Sequence, residues 1–101
     1  MQIIALRTLK FFWEKQPQAE VPLRTWYAIV SKAIWAGPAD VKAQFGASVD
    51  FVSDNRAIFD IGGNKYRLIV RISYEFKAAQ VKFVGTHAEY DKIDPVTCEA
   101  K

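Results

Sequence analysis

Hydrophobic positions in the first half of the chain recur every three to four residues. Leu6, Leu9 and Trp13, with Phe12 alongside, alternate with Arg7, Lys10 and Glu14 until Pro17 breaks the pattern, which predicts an amphipathic helix. A second helix is expected to open near Glu20 to Pro22, because proline is tolerated in a first turn. Its stripe is Leu23, Trp26, Tyr27, Val30 and Ile34, and Gly37-Pro38 stops it. Pro38 to Gly46 reads as a short third helix opened by proline and closed by glycine, with Val41 and Phe45 on one side.

Beyond Gly46 the period changes to two. Arg56 to Ile61 and Lys65 to Phe76 read as strands joined by Gly62-Gly63-Asn64, residues that tolerate positive φ, so a hairpin is expected. In the longer strand Tyr66, Leu68, Val70, Ile72, Tyr74 and Phe76 share one face, expected to pack on the helices; Lys65, Arg67, Ile69, Arg71, Ser73 and Glu75 share the other. Gln80 to Thr86 is a last strand, capped by a loop or single helical turn over His87 to Lys92. Helices followed by antiparallel strands predict one α+β domain over 1–101: helical at about 4–46, strands at about 50–87, and a weakly tied tail at 93–101.

Half of the 101 residues are hydrophobic and a quarter are charged, an ordinary globular composition too small for a buried dinucleotide cofactor. The net charge of +3 points mildly toward an anionic partner. The single cysteine, Cys98, excludes an intrachain disulfide and a thiolate metal site. Without a signal-peptide pattern or a long apolar run, no membrane association is expected and the cytoplasm is the expected compartment.

Candidate chemistry gathers late in the chain. Arg67 and Arg71 lie about 13 Å apart on one strand face at a rise of about 3.3 Å per residue, so their long side chains can grip one phosphate or adjacent ones. The alternative is a solvated outer strand charged for solubility. His87, the only histidine, has the chemistry of a general acid or base, yet a lone surface histidine is usually inert. Tyr90 can stack on a base or donate a proton, or simply close the core. With no second histidine and no carboxylate pair at ligand spacing, neither a metal site nor a cofactor is expected. Trp13, Trp26 and Trp35 fit core packing better than ligand stacking.

The stretch Arg56-Ala57-Ile58-Phe59-Asp60-Ile61-Gly62-Gly63-Asn64-Lys65-Tyr66-Arg67-Leu68, followed by Gly85-Thr86-His87-Ala88-Glu89-Tyr90-Asp91, resembles the HigB-type toxins of bacterial toxin–antitoxin modules, within the RelE/ParE superfamily. The resemblance covers most of the chain and is sharpest over 56–92. It implies a RelE-like fold, with N-terminal helices on one face of a small antiparallel-rich sheet. It also implies a ribosome-dependent mRNA interferase, an endoribonuclease that cuts mRNA in the 30S A site and is neutralised by a helix-turn-helix HigA-type antitoxin, the complex binding operator DNA. By position, Arg67 is implied to contact the phosphate, and His87, with Tyr90 nearby, to serve acid–base work or charge stabilisation. Arg56, Lys65, Arg71 and Lys82 are candidates for RNA contacts on charge and strand face alone. Exposed residues among Arg7, Lys10 and Glu14 are a guess for the antitoxin surface. A gyrase-poisoning ParE-like toxin and a non-catalytic nucleic-acid binder remain as alternatives.

Overall fold

A computed structural model describes residues 1–100. The chain runs β1 (Gln2–Ile4), α1 (Leu6–Lys15), α2 (Glu20–Ser31), α3 (Pro38–Phe45), β2 (Val49–Val52), β3 (Arg56–Ile61), β4 (Tyr66–Ser73), β5 (Ala78–Thr86) and α4 (His87–Tyr90). Single 3-10 turns at Pro17–Ala19 and Gly46–Ser48 introduce α2 and follow α3. The five strands form one sheet in the order β1-β5-β4-β3-β2; every pairing is antiparallel except that of β1 with β5. This bears out the α+β expectation.

The helical stripes do what their spacing dictates. Leu9 and Trp13 of α1, Leu23, Trp26 and Val30 of α2 and Val41 of α3 are buried against Ala57, Phe59 and Ile61 of β3 and Tyr66, Leu68, Val70 and Ile72 of β4. Phe59 sits centrally, edge-on to Trp26 at 5.5 Å and to Phe45 at 4.8 Å between ring centroids. All three tryptophans are buried, as aromatic residues on helical stripes should be.

Several boundaries differ from the sequence-based reading. Helix α2 ends at Ser31, so Ile34 leaves the stripe and is 83% exposed. The Met1 ammonium donates to the carbonyls of Val30, Ser31 and Ala33 at 2.8–3.0 Å, satisfying acceptors that a helix end leaves unpaired. Strand β1 falls outside the expected strands, and β2 opens the expected strand region of about 50–87 without having been delimited in it. Strand β4 stops at Ser73, leaving Phe76 78% exposed rather than packed on the helices. The β3–β4 connection has four residues, Gly62 to Lys65, with positive φ at Gly62, Gly63 and Asn64.

The largest correction concerns the sheet face away from the helices. It was expected to be open and basic, with a loose tail. Instead Ile58 and Ile69 are buried on it, and the tail is bound to it. Arg56, only 3% exposed, donates to the carbonyls of Pro95 at 3.2 Å and Cys98 at 2.7 Å, while Lys82 pairs with Glu99 at 2.8 Å. A cation deprived of water needs acceptors in compensation, and the tail supplies them.

Candidate active site

Hairpin register assembles the first half of the site. With Ile61 opposite Tyr66, Asp60 falls opposite Arg67 on the face away from the helices, and the two form a largely buried ion pair through Arg67 Nη1 and Asp60 Oδ1. Across the next ladder Arg67 faces Gly85. A Cβ at Gly85 would stand 2.5 Å from the Phe83 ring and 3.2 Å from Glu89 Cβ, so glycine here lets Phe83 and α4 close beside the arginine.

The second half is the single turn α4. The Thr86 hydroxyl accepts from Glu89 N at 3.2 Å and Glu89 Oε1 accepts from Thr86 N at 2.8 Å, a reciprocal cap that holds a turn too short to persist alone. His87 N donates to Lys65 O at 3.2 Å, tying the turn to the β3–β4 connection. The fold thereby brings His87 Nε2 to 3.2 Å from Arg67 Nη2, and the Tyr90 ring centroid to 5.3 Å from Arg67 Cζ. Phe83 backs Tyr90 at 6.4 Å. Asp91, one turn beyond His87, lies 3.3 Å from its Nδ1. A guanidinium, an imidazole and a phenol ring thus converge on one surface patch that can hold an anion, move a proton and stack a base.

Of the four candidate RNA-contact residues, Lys65 adjoins this patch through its carbonyl, which accepts from His87 N, and the other three lie along the sheet away from it. Lys65 is exposed in the β3–β4 connection. Arg71 lies farther along β4 and pairs with Asp54 at 3.2 Å; Arg56, its neighbour on β3, shares that carboxylate at 3.2 Å. Arg56 and then Arg71, through their hydrogen bonds, hold the Asp54 carboxyl below the usual aspartate range. Arg56 and Lys82 are engaged by the tail, so the expectation that both stand on an open face is corrected. The hydrogen bond from Lys82 holds the Glu99 carboxyl low, and burial pushes the Cys98 thiol up.

Sequence reasoning missed Asp60 and Asp91. The signals were present: hairpin register for the first, and i,i+4 spacing on a helical turn for the second. A cavity of about 620 Å³ lies between α1 and the tail, lined in part by Phe11, Phe12, Phe83, Ile93 and Cys98. It takes in none of Arg67, His87 and Tyr90; all three are partly exposed, Arg67 at 16% of its side chain. Among the described residues no helix is long and apolar enough to cross a membrane, and no three His, Cys, Asp or Glu side chains cluster to hold a metal ion.

Comparison with known proteins identifies the family. Residues 19–93 match a family model described as HigB_toxin, the RelE-like toxic component of a toxin–antitoxin system. The mRNA interferase toxin HigB of Escherichia coli (strain K12) is 30% identical over 92 residues, spanning 90% of this chain and 88% of the relative. The mRNA interferase HigB of Shigella flexneri matches equally, and that of Escherichia coli O6:H1 is 29% identical over 94 residues, 92% of this chain and 91% of the relative. The matched span holds α2, α3 and β2 to β5, most of the sheet and more than half of the chain: the chain belongs to the HigB toxin family, the RelE-like toxic components of toxin–antitoxin systems.

Proposed function

We propose that this toxin is an mRNA interferase that cuts messages on the ribosome by side-chain chemistry alone. The observation that carries the reading is the convergence of Arg67, His87 and Tyr90 on one partly exposed patch. The names of its relatives, mRNA interferases, point the same way. The 2′-oxygen attacks the adjacent phosphorus in line as His87 takes its proton. Arg67 stabilises the charge on the phosphoryl oxygens, and the P–O5′ bond breaks. Tyr90 stacks on a flanking base and protonates the departing 5′-oxygen, leaving a 2′,3′-cyclic phosphate and a 5′-hydroxyl. Lys65 and Arg71 extend the grip along the strand. The site is shallow, and the ribosomal A site supplies the orientation that a deep pocket would otherwise give.

The antitoxin that its family implies is, in this reading, a helix-turn-helix HigA-type protein whose complex with the toxin sits on operator DNA, and the toxin acts in the cytoplasm. The test is induced expression of wild type and His87→Ala in a bacterial host, with primer extension on one transcript and a DNA-damage readout. Translation-dependent cuts that fall at least about 100-fold in the folded variant are expected. Toxicity with DNA damage and intact transcripts would assign the protein to gyrase poisoning.

A further inference from the structure

The guanidinium of Arg67 has only donors, so the His87 nitrogen that it meets at 3.2 Å must offer a lone pair. A neutral imidazole then carries its proton on the other nitrogen, Nδ1, which lies 3.3 Å from Asp91 Oδ2, an acceptor when ionised. Donor and acceptor agree on both sides of the ring. We propose that Asp91 is a positioning residue that, together with Arg67, holds His87 in its Nδ1–H tautomer, keeping Nε2 bare and covered by Arg67 until a substrate phosphate draws the guanidinium away. This rests on the interferase reading above for its catalytic consequence, though not for the state of the ring. Arg67 is anchored by Asp60 through its other terminal nitrogen, so the guanidinium can release His87 without leaving the patch.

Because His87 is the only histidine, one imidazole dominates a long-range ¹⁵N spectrum of the full chain. At a pH where the ring is neutral, wild type should show a protonated Nδ1 and a bare Nε2. Asp91→Asn should give mixed tautomers, since an amide both accepts and donates. Its kcat for transcript cleavage should fall about tenfold with KM unchanged, and Asp91→Glu should recover part of the loss. Asp91 is exposed, and circular dichroism checks that its variants fold. A wild-type ring protonated at Nε2, or an Asp91→Asn ring with unchanged tautomers, would overturn the proposal. An Nδ1–H ring that becomes mixed in Asp91→Asn, in a protein that cuts no transcript, would support the assignment to Asp91 and remove the interferase reading alone.

Discussion

Arg56→Met separates two roles that charge alone cannot distinguish. If Arg56 were an RNA contact, its loss would weaken substrate binding and leave the fold intact. In the structure it anchors the tail through charge-assisted hydrogen bonds to the Pro95 and Cys98 carbonyls, at 3.2 and 2.7 Å. Each such bond contributes about 1.5–3 kcal/mol, and water recovers part of that once the carbonyls are free. The net cost is about 3 kcal/mol, which raises the fraction of molecules with a detached tail about a hundredfold. Methionine keeps the apolar stem over the sheet, so the loss falls on the tail rather than the core. Cys98, the only cysteine and partly buried, reports the opening directly. Its labelling by an excess of a thiol reagent should accelerate up to a hundredfold in the variant, while the far-ultraviolet dichroism stays unchanged. Labelling at the wild-type rate would refute the anchoring argument and return Arg56 to the RNA-binding candidates.

Two further outcomes follow from the packing and the charges. Phe59→Ala, which empties a fully buried site between Trp26 and Phe45, should destabilise the domain by about 4 kcal/mol in urea unfolding. Glu99 and Asp54 have folded-state pKa values below their ordinary ones, so their contribution is complete above the ordinary carboxylate range and is lost as pH falls through the lower folded values. Amide protection at Thr97 and Cys98, both bonded to the Asp94 carbonyl, should decline in that acidic window.

The helices were legible because proline and glycine mark their ends and apolar spacing marks their buried sides. The hairpin was legible because Gly62-Gly63-Asn64 accepts the positive φ that its turn requires. Strand β1 carried no such signal. It is three residues long and pairs with Ala78–Gln80 near the other end of the chain, a contact no local pattern encodes. Strand β2, four residues long, is likewise specified by its ladder with β3. Alternation along β4 gave the residues that share a face but not what lies over it. The hint was Ile69 among the arginines, with Ile58 beside it on β3: two isoleucines on a supposedly solvated face mean a cover. At the candidate site Arg67, His87 and Tyr90 stood out by residue type. Their carboxylate neighbours Asp60 and Asp91 did not, because an aspartate acquires such a role only through what it is placed against.

The pairing of β1 with β5 sets the order in which the molecule can become functional. The first strand to leave the ribosome must wait for the last before its hydrogen bonds are met, and the apolar faces of α1 and α2 wait for the same sheet. Such non-local closure is slow and comes late in synthesis. Arg67 is translated before the β5 and α4 residues that complete its surroundings, so a growing chain never carries a finished site. Synthesis interrupted before α4 leaves Arg67 without His87 and Tyr90 beside it, so the candidate site is complete only in chains made through α4.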